Sequence, residues 1–538
     1  MLSQHAGSLE EFVEHYRCRP VVFRAVQFYI AAFCTACILD YLSLSDFPQP
    51  THTEKSMVIS RTSAARKSEP LYARIATDLG EMIEGGVLRT GDRIPSVRRA
   101  SRQHKVSLAT AVQAYLTLEN RGLIEARPKS GFFVRYRPHH LLDEPQTSRP
   151  ARTVSRDESP TLISRLFDAT MMRDVVQFGA GLPNAELLPV QKLNRIISAA
   201  ARRAGSASLE LDMPPGCLAL RRALARRALD WGLKISPDEI ITTSGCMEAL
   251  VLSLRAVTKP GDTVAVESPT YFGVIQLIAQ LGLKALEIPT HPRTGLDLDA
   301  LERVLRSGRV HACLVVPNFN NPLGSLMPAA AKERLVAMLA RREIPLIEDD
   351  LYGDLHFGRE RPHVAKSYDR KGLVMLCGSF SKSVAPGYRV GWLMPGRFFE
   401  STRDLKFTST VATATLPQLA LAEYMTNGGY DHHLRGLRRA LQTQMEKISH
   451  AVAESFPAGI KMTRPTGGLV LWVELPARVD SLRLHAKALA EKISIAPGPM
   501  FSPRQNFRNF IRLSCGEPWS PKIERAIGVL AYLVKQMR

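Results

Sequence analysis

Five short apolar runs constrain this chain most: DEIITTSG, TVAVESP, ACLVVPN, IPLIEDD and LVMLCGSFSK, spread over residues 238–382. Each is a short run with an apolar centre. Each therefore reads as a strand covered on both sides. The stretches between them carry helical spacing, and strands alternating with helices imply βαβ units and a mainly parallel sheet. The fold class expected of the large unit, about residues 165–538, is α/β. Hydrophobic residues make up 45% of the 538-residue chain, enough to bury such a core.

The runs lead into chemistry-bearing residues. Lys382 lies in GSFSKSVAPGYRVGW, just after LVMLCG, with Ser379, Ser381 and Arg389 beside it. A surface lysine needs no such company. A lysine joined as a Schiff base to pyridoxal 5'-phosphate does, because hydroxyls and a guanidinium bind the phosphate dianion while the amine fixes the aldehyde carbon. In IEDD, Asp349 is the candidate carboxylate that keeps the pyridine nitrogen protonated by charge pairing. Tyr352 and Asn321 (in PNFNNPLG) suit the ring oxygen, and Tyr271 in ESPTYFG suits stacking on the ring. ITTSGCMEAL reads as strand, turn and helix, whose N-terminus offers backbone N–H groups to phosphate. Arg512 in FIRLSCG suits a bidentate grip on a substrate carboxylate. Singly, an Asp pair often caps a loop and Asn-Pro often just marks a turn. The order of the whole set (SGCMEA, PTY, NNPLG, EDDLY, SFSK, Arg389, RLS) carries the reading.

That order resembles the fold-type I aminotransferases of class I/II over about residues 165–538. The resemblance implies Lys382 as the catalytic Schiff-base lysine and Asp349 as the pyridinium partner. It places Asn321 and Tyr352 at the ring oxygen and Tyr271 on the ring face. It gives the phosphate to the backbone of Gly245 and Cys246 with Ser379, Ser381 and Arg389, and the effector or substrate carboxylate to Arg512 with the backbone around Gly181 in GAGLPN. Two positions depart from the usual pattern. NPLG stands where NPTG is common, and Leu211 in LELDMPPG stands where a tyrosine often reaches the dimer partner's phosphate.

A smaller basic unit precedes it, residues 68–135, with 11 Lys/Arg against 7 Asp/Glu. Residues 70–84 carry apolar positions at helical spacing. A second short helix near Pro95 runs to His104, and Ser107 caps a third that runs to Asn120. RGLIEARPKSGFFVR reads as a two-stranded ribbon turning at Pro128–Gly131. Three helices and a ribbon make a winged helix-turn-helix, or otherwise a small helical domain with a solvated basic face. The formal net charge of +20 and pI near 9.8 suit a polyanionic partner. The stretch GGVLRTGDRIPSVRRASRQHKVSLATAVQAYLTLENRGLIEARPKSGFFV resembles the GntR winged-helix module along its length. By that resemblance Arg98, Ser107, Thr110, Lys129, Ser130 and Gly131 touch DNA, and Leu108 stands where the family usually has arginine.

Residues 136–164, rich in Pro, Arg, Ser and Thr, read as a linker. A GntR-like module joined through a long linker to an aminotransferase-like domain resembles the MocR class of regulators. The resemblance implies a cytoplasmic homodimer that binds a double-stranded DNA operator and senses pyridoxal phosphate or its adduct with an amino acid or amine. A working aminotransferase with a regulatory DNA module is the alternative, since the catalytic positions are all present. No metal is expected: Cys34 and Cys37 form a lone C-x-x-C without a second pair. Residues 1–67 read as an extension or as the product of an upstream start, with Met57 opening a natural beginning. The apolar run 21–39 is interrupted by Arg24 and Gln27 and is too short to span a membrane cleanly.

Overall fold

A computed structural model describes residues 70–85, 87–88, 91–120, 123–127, 130–134, 142–151, 172 and 174–537. The expected extension 1–67, with its Cys34–Cys37 pair, lies outside these residues, as does Lys129.

The basic unit has the expected elements: helices α1 (Leu71–Glu84), α2 (Val97–Gln103) and α3 (Leu108–Asn120), then strands β1 (Ile124–Arg127) and β2 (Gly131–Val134). The strands pair antiparallel, Ile124 opposite Val134 and Arg127 opposite Gly131. Ile75, Leu79 and Ile83 of α1 meet Ala114, Tyr115 and Leu118 of α3 in a core that also takes Ile94, Leu123 and Val134. Ser107 sits one residue before α3 and its hydroxyl accepts from the Thr110 N–H at 3.1 Å, the reason the helix starts there. The wing is tied back by Ile94 N–H to the Phe132 carbonyl and by Val134 N–H to the Asp92 carbonyl. Tyr115 locks ribbon to helices: its ring meets Phe132 edge-on at 5.1 Å and its hydroxyl donates to the Pro95 carbonyl at 2.6 Å.

The large unit opens with helices α4 (Val190–Ala204) and α5 (Leu218–Arg227) and is built on an eight-stranded sheet. In chain order its strands are β3 (Ile241–Thr243), β4 (Thr263–Ser268), β5 (Lys284–His291), β6 (Gly295–Leu296), β7 (Ala312–Val315), β8 (Leu346–Asp349), β9 (Val374–Ser379) and β10 (Gly391–Met394). They lie in the order β3-β10-β9-β8-β7-β4-β5-β6. From β9 across to β5 every pair is parallel, whereas β10 runs antiparallel to both of its neighbours. Successive residues alternate between two covered faces, as strand geometry requires. Ala265, Cys313, Val315 and Leu346 pack against α8 (Leu298–Leu305) and α9 (Ala329–Ala340). Val264, Val266, Leu314 and Ile347 pack against α6 (Cys246–Val257) and α7 (Phe272–Gln280). With both faces taken, polar chemistry is left to the carboxyl ends of the strands.

A second sheet, β11 (Lys461–Met462), β12 (Val470–Glu474), β13 (Ala496–Pro497) and β14 (Phe510–Ser514), is wholly antiparallel in the order β11-β12-β14-β13. It shares a core with the long helix Gly429–Ser455 and the last helix Pro521–Gln536. Among the described residues, no helix is long and apolar enough to cross a membrane.

The region read as a linker is described from 142 to 151, where it has neither helix nor strand. It nonetheless docks on the large unit. Asp143 accepts from Met462 N–H at 2.8 Å, Glu144 pairs with Arg293, and the Ser148 hydroxyl donates to the Ser268 carbonyl at 2.5 Å while accepting from Thr290 N–H at 2.9 Å. Composition predicts a connector but carries no sign of where it lies.

Tyr115 offers a direct check on the small unit. Tyr115→Phe removes one hydrogen bond and should cost about 0.5–1.5 kcal/mol, while Tyr115→Ala should cost about 3–5 kcal/mol, read as the thermal unfolding of that unit in the full chain. Equal melting of both variants would mean the ring does not join helices to wing.

Candidate cofactor site

A cavity of about 580 Å³ opens at the carboxyl ends of the central strands. Asp349 ends β8, Ser379 ends β9, and the turn after β3 leads through Gly245 into α6. Lys382 follows β9 by three residues, and Arg512 reaches in from β14 of the second sheet. Of the positions read from sequence, Cys246, Tyr271, Asn321, Asp349, Tyr352, Ser379, Ser381, Lys382, Arg389, Gly181 and Arg512 all line this one space. Gly245 stands at its edge, at φ 87°, and a Cβ there would fall 2.4 Å from Nη2 of Arg389. Residues 333 apart in sequence, Gly179 and Arg512, are joined by a hydrogen bond.

One end of the cavity is an anion cradle. Arg389, itself at φ 52°, donates to the Ser381 hydroxyl and to the Ser244 carbonyl, each at 3.2 Å. The Ser379 hydroxyl accepts from Ser381 N–H at 3.2 Å. The open first turn of α6 points its free N–H groups at the same place. A glycine at 245 is needed both for the positive φ and to leave room for the guanidinium.

The other end is set by two charges and a tyrosine. Lys382 Nζ donates to the Gly181 carbonyl at 2.6 Å. Burial, reinforced by the nearby Arg512 charge, brings its ammonium down to about 8. Burial likewise pushes the Asp349 carboxyl up to about 6, against hydrogen bonds from the Cys246 thiol at 3.4 Å and Leu351 N–H at 3.2 Å. Asn321 Nδ2 donates to the Tyr352 hydroxyl at 3.2 Å, and burial drives that phenol upward, so it stays protonated. Arg512 is 1% exposed; Nη1 donates to Asn321 Oδ1 at 3.2 Å and Nη2 to the Gly179 carbonyl, while buried Nε has no hydrogen-bond partner among the described residues.

Sequence reasoning gives Cys246 only its backbone. The structure adds its side chain, which orients Asp349. The clue is a thiol at the first position of a helix, too weak by itself to act on. Sequence reasoning also passes over the apolar lining from Met247, Leu250, Val316 and Leu351, which any buried residue of that kind could supply.

In the basic unit, Arg98 lies exposed on α2, and Ser130 and Gly131 lie at the described end of the wing. Ser107 and Thr110 stand at the start of α3 with their hydroxyls 2.8 Å apart.

Two family models match the chain: aminotransferase class I and II over residues 173–530, and the bacterial regulatory proteins of the gntR family over residues 71–134. Among curated proteins, the chain is 40% identical to the uncharacterized HTH-type transcriptional regulator YdcR of Escherichia coli (strain K12), over 86% of this chain and 99% of that one. It is 31% identical to the 2-aminoadipate transaminase of Thermus thermophilus, over 65% of this chain and 88% of that one. Among solved structures it is similar to the alpha-aminoadipate aminotransferase LysN, also of Thermus thermophilus, complexed with N-(5'-phosphopyridoxyl)-L-leucine. That match has a TM-score of 0.65 and 29% identity over 71% of this chain and 96% of that one.

The depressed Lys382 ammonium has a measurable consequence. With a midpoint of about 8, roughly a tenth of it is neutral at pH 7, against a few parts in ten thousand for an unshifted lysine. Trapping with a small aldehyde and borohydride, mapped by peptide, should label Lys382 with a midpoint of about 8 while surface lysines keep gaining to higher pH. Because the Arg512 charge lowers the midpoint, Arg512→Gln should move it upward. A Lys382 that titrates with the surface lysines would contradict the burial seen.

Proposed function

The chain belongs to the class I and II aminotransferase family and carries a gntR-family module ahead of that domain, and from this premise we propose that it is a DNA-binding transcriptional regulator whose aminotransferase-like domain senses pyridoxal 5'-phosphate or its adduct with an amino acid or amine. The observation that carries the sensing half is the complete set of cavity residues: a deprotonable lysine, a buried acid and an anion cradle in one space.

The residues fit the cofactor. Gly245 leaves room for the Arg389 guanidinium, and Arg389, Ser379, Ser381 and Arg512 all line the one cavity that the ring would enter. When bound, pyridoxal phosphate supplies an aldehyde for amines to condense with and a ring that withdraws electrons once protonated. Lys382 would hold it covalently. Ser379, Ser381, Arg389 and the N–H groups of Gly245 and Cys246 would hold the phosphate. Asp349, oriented by the Cys246 thiol, would hold a proton on the ring nitrogen by its charge. Tyr352 and Asn321, already bonded to each other, would take the ring oxygen, and Tyr271 the ring face. Arg512 would take the carboxylate of an amino-acid effector, with the backbone at Gly181 alongside.

Arg98, Ser107, Thr110 and residues 129–131 would meet the operator, with two modules brought together by a homodimer. The cytoplasm, where operator and amino acids are both at hand, would be its compartment. A ligand shifts DNA affinity only if it binds two arrangements of the protein unequally. A route exists on this chain: Ser148, in the segment leading from the DNA module, is bonded to Ser268, and Tyr271 three residues on lines the cavity.

Selection of bound sequences from random duplex DNA, repeated with and without pyridoxal phosphate and amines, tests the reading. Wild type should bind a defined sequence, and ligand should change its affinity about fivefold or more. Lys382→Ala should lose covalent retention of the cofactor and with it the ligand response. Ser148→Ala should retain cofactor and sequence preference but change the coupling by about 0.5–2 kcal/mol. Multiple-turnover amino transfer to a keto acid without sequence-specific DNA binding would establish the enzyme reading instead.

A further inference from the structure

The outward face of α3 is nearly uncharged. Between residues 108 and 120 there is no lysine or arginine. Ala111, Ala114, Tyr115 and Leu118 turn inward, while Leu108, Val112 and Leu116 are 51%, 41% and 42% exposed. Spacing of four places these three on one stripe. Gln113 is exposed beside it. The cations stand elsewhere: Arg98, Arg99 and Arg102 on α2 and Lys105 in the turn, all exposed.

This is a division of labour. Cations neutralise phosphates without regard to sequence. What enters the groove reads the bases. In a helix-turn-helix the first residues of the second helix enter the major groove, and Leu108 is the first residue of α3, fixed there by the Ser107 cap. Only thymine offers an apolar group, its C5-methyl, on the major-groove edge.

We propose that Leu108 and Val112 are specificity-determining residues that pack on thymine methyl groups, with the Gln113 amide turned to adenine, so that the half-site beneath the start of α3 is built of A·T pairs. The proposal rests on the DNA-binding reading and names the sequence class that reading leaves open. An apolar protein surface is the competing occupant of the stripe. The four exposed cations on α2 and in the turn that leads into α3 favour the polyanion.

The test uses the full chain. Once selection has given a bound sequence, each of its thymines is replaced in turn by uracil, which removes only the methyl. Replacement under α3 should weaken binding about fourfold per methyl, the worth of one buried methyl-sized group. Leu108→Ala should abolish the uracil effect at one position, and Leu108→Arg should turn that position's preference toward G·C. Both variants should melt with wild type, since Leu108 is half exposed. A selected sequence indifferent to uracil, or G·C-rich under α3, overturns this proposal alone. The absence of any selected sequence overturns the regulator reading with it. Variants that change the protein's assembly state but not its DNA affinity would make the stripe a protein contact and overturn the proposal.

Discussion

A sheet covered by helices on both faces has one place for polar chemistry, the carboxyl edge of its strands, and the rest of this molecule follows from that constraint. IEDD shows how. Glu348, Asp349 and Asp350 are successive and buried, yet alternation sends them to different partners. Glu348 accepts from the N–H groups of Ala365 and Lys366, and Asp350 pairs with Arg361 and Asn318. Of the three, Asp349 faces the cavity, where among the described residues a thiol and one backbone N–H meet it. Burial raises all three carboxyls. The one left without a full complement of donors is the one whose charge a cationic ring can still use.

Keeping Asp349 in place falls to the network behind it. Arg361 bridges Asp350 and Asp354, and Asp354 also takes Arg227 and the Tyr430 hydroxyl. Arg227 lies over the Tyr430 ring at 4.4 Å and Arg361 over Trp231 at 5.0 Å. The two guanidiniums hold the Asp354 carboxyl far below the usual carboxylate range. Buried ion pairs are a weak source of net stability, because desolvation offsets attraction. Their use here is geometric. They fix Asp350, the residue just past the end of β8, and so constrain the direction of its neighbour.

How much of this is legible in the sequence follows from which constraints are local. The five apolar runs are five strands of the sheet, and the residues after them converge on one cavity, because a strand end fixes its successor within a few residues. Strands β10 and β5 escape a reading of the sequence. β10 owes its place to the tertiary pairing that inserts it antiparallel between β3 and β9, which no local pattern records. In β5, KALEIPTH, Glu287 and Pro289 break up what little apolar run there is. The Cys246 thiol escapes for a similar reason: its partner is 103 residues away. Ser107 reads as both helix cap and DNA contact, and the cap is what the structure displays. The connector 142–151 is legible as unstructured and illegible as docked, since its contacts are hydrogen bonds from ordinary polar residues to the distant strand ends.

Within that docking, the Ser148 hydroxyl makes a contact of modest strength. Neutral hydrogen bonds contribute about 0.5–1.5 kcal/mol each, so the two made by the Ser148 hydroxyl fall in the range of about 1–3 kcal/mol over which binding at one site commonly alters binding at another. The bond also lands in a telling place. Ser268 is the last residue of β4, where the rigid sheet gives way to the loop bearing Tyr271. The carbonyl to which the connector is tied therefore belongs to the last paired residue of the strand, opposite Pro289, three residues before the ring that lines the cavity.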